Sequence, residues 1–212
     1  MYFDSEKEIR NILYLLDLKG VVTEDLEDSI DHGRLVAAIV KMLASRIGLD
    51  EKTTEVIYNA ACVHDVGKLK LSQSIYGRDK KSLHVEEVRH MRMHAKLGAE
   101  MLGQCNYPYD IVEAVYHHHE CYDGSGYPDN LRGEDIPYSS RFIKICDAFA
   151  ALISDRPYRK GFDKDTALGM MIEDNKEYDI RLFLDFMNMV NSPEFDEILK
   201  MAEEMNKKHS YK

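Results

Sequence analysis

The sequence predicts an all-α fold, a helical bundle interrupted by one elaborated glycine- and proline-rich loop. Three observations carry that expectation. Apolar residues recur at i, i+3, i+4 and i+7 along most of the chain, the spacing of one buried helix face. Alternating β-branched runs are nearly absent, which argues against a substantial sheet. The strong turn formers concentrate in one stretch, where Gly124, Gly126, Pro128, Gly133 and Pro137 follow one another closely.

The elements can be justified in order. Ile9, Ile12, Leu13 and Leu16 predict an amphipathic helix over residues 6–17. Leu35, Ile39 and Leu43 form the stripe of a second helix, from about Leu26 to Arg46. Residues 51–65 form a third, apolar at Val56, Ile57, Ala60 and Ala61, with Gly67 read as its stop. Further helices are expected at 84–103, 110–119, 139–153, 164–174, 179–190 and 193–207. Ser192-Pro193-Glu194 suits the start of the last, with serine as cap and proline in the first turn. Residues 70–82 and 121–138 are expected to be non-helical. The second is long enough to read as a functional loop. Without repeat, low-complexity tract or linker, residues 1–212 read as a single domain. Within it, residues 1–20 hold the N-terminal amphipathic helix, a packing or dimerisation element, and 162–212 the C-terminal helices.

Composition narrows the function classes. Hydrophobic residues make up 44% and charged residues 31%, the balance of an ordered globular protein. The opening MYFDSEKEIR puts acids where a secretory signal needs a basic stretch, and no run reaches the ~18 apolar residues of a membrane span. The four cysteines form no CxxC pair, so free thiols in a reducing compartment, the cytoplasm, are expected. A net charge of −10 opposes binding to a nucleic-acid polymer and leaves small anionic ligands open, because local cations or metals dominate their field.

The chemistry begins with His64-Asp65 in the run HDVGK. Imidazole offers a metal one nitrogen, whereas a carboxylate has two oxygens and can bridge two ions. On these residues alone a metal site and an ordinary helix end weigh about equally. His117-His118-His119 closes a helix, opens the glycine-rich loop and shifts the balance toward metal binding. His32, His94 and Asp147 singly have ordinary readings as core or hydrogen-bonded residues. Asp147 nevertheless lies in an almost apolar stretch, where a carboxylate is costly to bury unless paired or metal-bound.

Together, His32, HDVGK at 64–68, His94, HHECYDGSGYP at 118–128 and ICDAFAALISDRPYR at 145–159 resemble the HD-GYP family of the HD-domain phosphohydrolase superfamily. The resemblance spans about residues 28–160. It implies an all-α HD-domain bundle and a metal-dependent phosphodiesterase that cleaves cyclic dinucleotides, cyclic di-GMP foremost, with a metal-bridging hydroxide. It implies two divalent ions, iron or manganese: His32, His64, Asp65 and Asp147 at one, and Asp65 bridging to His94, His118 and His119 at the other. Asp28 stands where some members carry a glutamate for a third metal. Lys68 and Tyr127 would face the substrate, and Arg156 and Arg159 would contact its phosphates. Asp65 and Lys68 would be the catalytic pair. A homodimer or a diguanylate cyclase partner is compatible with such a chain. An HD phosphohydrolase of another nucleotide, or a non-catalytic cyclic-dinucleotide sensor, are the alternatives. One departure is KLSQSIYGRDKKSLH after the HDVGK run, which lacks the family's usual proline.

Overall fold

Helix α2 (Thr23–Ile47) is long, about 37 Å at 1.5 Å per residue, and the other helices are packed around it. The computed structural model describes residues 1–75, 90–156 and 159–210. Leu35, Val36, Ile39, Val40 and Leu43 of α2 are fully buried, and the helix ends at Gly48. With φ of 77°, Gly48 turns its N–H back onto the carbonyls of Ala44 and Ser45, a left-handed cap that glycine adopts without a Cβ penalty.

α1 (Ser5–Leu15) is capped by Asp4, which accepts from the Lys7 N–H, and buries Ile9 and Ile12. α3 (Glu51–Val63) is capped by Asp50 and packs along α2. The residues before α1 lie against the C-terminal half of α3. Phe3 N–H donates to Asn59 Oδ1 at 2.8 Å, and the Tyr2 ring meets Tyr58 edge-on at 5.0 Å. After a turn at His64-Asp65 the chain re-enters helix as α4 (Val66–Ile75), which packs on α5 (His94–Gln104). α6 (Tyr109–Tyr116) packs on α5 and α3, and α7 (Tyr138–Ile153) on α2, α3 and α6. α8 (Lys164–Glu173), α9 (Ile180–Val190) and α10 (Asp196–Ser210) close the other side. There Phe149 of α7 meets Phe186 and Phe195 edge-on at 5.4 and 5.6 Å. Such aromatic pairs add about 0.5–1.5 kcal/mol each beyond the area they bury. One hydrophobic cluster runs through residues from Ile9 to Ala202, and among the described residues no helix is long and apolar enough to cross a membrane.

Four expectations need correction. Gly67 does not stop a helix: it lies inside α4, where a Cβ would collide with the His94 carbonyl oxygen. Its small size serves the close approach of α4 to α5. The segment 70–82 is helical as far as Ile75, with Leu69 and Leu71 buried, and the rest of it lies outside the described residues. The helix expected over 84–103 is interrupted: His90 and Met91 are helical, a turn follows at Arg92-Met93, and helix resumes at His94, while residues 84–89 lie outside the described residues. A short 3₁₀ turn, Pro193–Phe195, precedes α10, and the Ser192 side chain makes no capping bond.

Candidate metal centre

Residues remote in sequence converge on one site. His32 comes from α2, His64 and Asp65 from the α3–α4 turn, and His94 from the first position of α5. His118 and His119 follow α6, and Asp147 sits mid-way along α7. Their donor atoms form two groups, His32–His64–Asp147 and Asp65–His94–His118–His119, each within 4.8 Å. Asp65 stands between them. Its Oδ2 is 3.5 Å from His64 Nε2 and 3.8 Å from His32 Nε2, while its Oδ1 is 3.4 Å from His94 Nε2 and 4.0 Å from His118 Nε2.

Local structure sets the imidazole tautomers. His64, His94 and His118 each place Nδ1 2.6–2.8 Å from the carbonyl three residues earlier, of Ala61, Met91 and Val115. A carbonyl can only accept, so Nδ1 carries the proton and the Nε2 lone pair is turned into the pocket. The consequence is crowding of like groups at His94 and His118, whose Nε2 atoms lie 3.3 Å apart, while His119 Nε2, with no backbone carbonyl fixing its tautomer, lies 3.0 Å from His94 Nε2. Bare lone pairs so close repel unless a cation sits among them. His64 Nε2 and Asp65 Oδ1 are also buried without a hydrogen-bond partner among the described residues. Converging imidazole nitrogens and carboxylates of this kind fit divalent metal ions.

The electrostatics agree. Burial opposes ionisation of Asp65, but Lys68, His64, His94 and His32 outweigh it and hold the carboxyl well below its ordinary range. Asp147 is likewise depressed against burial, by the hydrogen bond from His32, whose Nε2 lies 2.7 Å from its Oδ1, and by the His64 imidazole 3.6 Å away. Burial pushes His118 well down and His119 to about 3, so both are neutral donors. His64 moves up to about 8, because Asp65 and Asp147 outweigh its burial. Lys68 Nζ is 2.5 Å from Asp65 Oδ2.

The wall of the pocket is aromatic. Tyr127 stacks on His119 with ring centres 4.8 Å apart, and the Arg92 guanidinium lies 5.2 Å from the Tyr127 ring centre. The loop that delivers Tyr127 is organised by Glu120, whose buried carboxylate accepts from Asp129 N–H at 2.7 Å and Leu131 N–H at 3.1 Å. A Cβ on Gly126 would collide with the Glu120–Cys121 backbone, so the loop folds tightly onto its own start. His117 stays outside both groups, edge-on to Tyr116.

Two expected residues sit differently. Asp28 is exposed on α2 and belongs to neither donor group. The Arg159 guanidinium donates to the carbonyls of Ala151, Leu152 and Lys160 at 2.9–3.1 Å and lies over the Phe162 ring. It thus satisfies the orphan carbonyls at the end of α7, which is not the posture of a phosphate contact. Arg156 pairs with it through the backbone. Glu120 and Arg92 were not singled out by their sequence context. The only available signal for Glu120 was an acid placed directly before the glycine-rich loop.

An HD domain family model matches residues 18–182. A cyclic di-GMP phosphodiesterase of Pseudomonas aeruginosa is 33% identical over 187 residues, 88% of this chain and 45% of its own length. The cyclic di-GMP phosphodiesterase response regulator RpfG of Xanthomonas campestris is 37% identical over 135 residues, 63% of this chain and 35% of its own. The chain therefore spans less than half the length of these curated relatives. Among solved structures, an HDG"Y"P protein from Bdellovibrio bacteriovorus superposes with a TM-score of 0.64 at 18% identity. That match covers 89% of this chain and 61% of the other, and establishes likeness of fold.

Proposed function

The chain belongs to the HD domain family and carries the HD-GYP pattern, and from that premise we propose that it is a metal-dependent phosphodiesterase of cyclic dinucleotides, with cyclic di-GMP as substrate. The observation that carries this reading is Asp65, whose two oxygens each face a different group of donors. One ion would be held by His32, His64, Asp147 and Asp65 Oδ2, and the other by His94, His118, His119 and Asp65 Oδ1. Iron or manganese suits this mixture of imidazole and carboxylate. Such ions supply Lewis acidity toward phosphate oxygens and an acidified water.

The chain's own groups do the rest. Asp65 and Asp147 stay ionised at neutral pH. His94 and His118, with pKa values lowered by burial, keep Nε2 unprotonated because backbone carbonyls hold the proton on Nδ1. Lys68, partly exposed above Asp65, offers a cation to the scissile phosphate. The Tyr127–His119 stack forms a flat wall suited to a nucleobase or ribose face and excludes water from one side. Arg156 is the remaining member of the expected arginine pair.

The test is to purify the protein without oxygen, measure its metal content, and follow cyclic di-GMP by product chromatography. Asp65→Asn should abolish turnover, by at least ~10³-fold, with helical circular dichroism retained, because an amide bridges cations poorly. Full activity in metal-loaded Asp65→Asn would sink the two-metal reading. Metal-replete wild-type protein that binds the dinucleotide but never cleaves it would make the chain a sensor instead.

A further inference from the structure

A cyclic dinucleotide carries two phosphodiester groups, and only one can lie at the metal centre during a given cleavage. The other must rest on a protein of net charge −10, which disfavours it unless a cation is placed for it. Among the described residues, Lys144 is engaged with Glu177, and the other cations near the pocket differ in what holds them. Lys68 is engaged with Asp65 inside the scissile position. Arg159 is held by two carbonyls at the end of α7, of Ala151 and Leu152, and by that of Lys160. Arg156 shares a backbone bridge with Arg159, and among the described residues no contact ties its guanidinium to the pocket wall.

Arg92 is placed differently. It lies in the turn immediately before α5, two residues ahead of His94, and is exposed. Its guanidinium lies 5.2 Å from the centre of the Tyr127 ring, which itself stacks on His119. The cation is thereby held at the rim of the pocket, beside the flat wall, with its donors available to an incoming anion. Tyr127 contributes a cation–π attraction of about 0.5–1 kcal/mol at such an exposed position, enough to bias the side chain toward the rim and too little to withhold it from a phosphate. The guanidinium fork matches two phosphate oxygens at once.

We propose that Arg92 is a substrate-positioning residue that binds the phosphate not being cleaved, so that it selects substrates with two phosphodiester groups over those with one. This rests on the phosphodiesterase reading above. The experiment compares kcat/KM for cyclic di-GMP and for bis(p-nitrophenyl) phosphate, a single phosphodiester, on one metal-loaded preparation of each variant. Arg92→Ala should lower the ratio of the two about tenfold through a raised KM for cyclic di-GMP. Arg92→Lys should recover part of it, keeping the charge and losing the fork. An equal fall for both substrates would place Arg92 in support of the metal centre and overturn the proposal. So would a ratio that collapses in Arg156→Ala and not in Arg92→Ala. Failure of the wild-type protein to cleave either substrate would instead overturn the phosphodiesterase reading itself.

Discussion

His119, pushed down to about 3 by burial, and His32, His94 and His118, also lowered by burial, are neutral in the fold but would titrate near 6.5 in an unfolded chain. Below about pH 6.5 the unfolded chain of the metal-free protein therefore takes up protons that the folded one refuses. Each such histidine removes about 1.4 kcal/mol of stability per pH unit until its folded pKa is reached. His64 works in the opposite sense, since its pKa is raised to about 8. The stability it contributes is complete below 6.5 and is lost as pH rises through 8. Asp65 and Asp147 contribute above the ordinary value of 3.8 and lose that contribution only at lower pH, as it falls through their depressed values. Four histidines outweigh one, so calorimetry of the metal-free protein should show its melting temperature falling steadily from pH 7 to pH 5. A flat or rising trend across that window would contradict the buried, neutral donors. Metal binding should weaken over the same range, because the proton held by His64 in the fold competes with an ion for its Nε2 lone pair.

Elements bring these donors together, and the glycine of HDVGK shows how. Gly67→Ala should cost about 1–3 kcal/mol from overpacking against the His94 backbone. Because α4 begins just after Asp65 and α5 begins at His94, the same change should weaken metal retention. Gly103→Ala, at an exposed position of α5 where a Cβ meets nothing within 4 Å, should instead stabilise by about 0.5–1 kcal/mol. Thermal melts of the two variants beside the wild type check both signs. This pair also marks the limit of what the sequence made legible. The stripes at Ile9 and Ile12 and at Leu35, Ile39 and Leu43 could be read because helix periodicity is local, and these residues are indeed buried. His64-Asp65 and His118-His119 were visible because adjacent residues of that chemistry are uncommon. Gly67 was misread because a glycine that ends a helix and one that admits a neighbouring helix look alike until the neighbour is known. The commitment of Arg159 to carbonyls, the grip of Glu120 on its loop, and the Arg92–Tyr127 contact are all set by tertiary packing that periodicity does not encode.

For the whole molecule, the donor groups join α2 to α7 across 115 residues, in the His32–Asp147 pair. Ions held there would cross-link most of the bundle and stabilise only the folded state. At a free metal concentration of about 100 times Kd, the gain is about 2.7 kcal/mol, or roughly 5–10 °C in melting temperature for a chain of this size. Chelation should reverse the shift, and an unchanged melting curve on adding manganese or anaerobic ferrous iron would argue against a cross-linking centre. The N-terminal residues bear on the same centre from outside. Phe3 is fastened to Asn59, and Tyr2 to Tyr58, within the last two turns of the helix that runs into His64 and Asp65. The first three residues are thus a handle on that rod. Tension or torque applied to them would reach the Asp65 carboxylate through about two turns of helix, a short mechanical linkage between the chain's start and the donors.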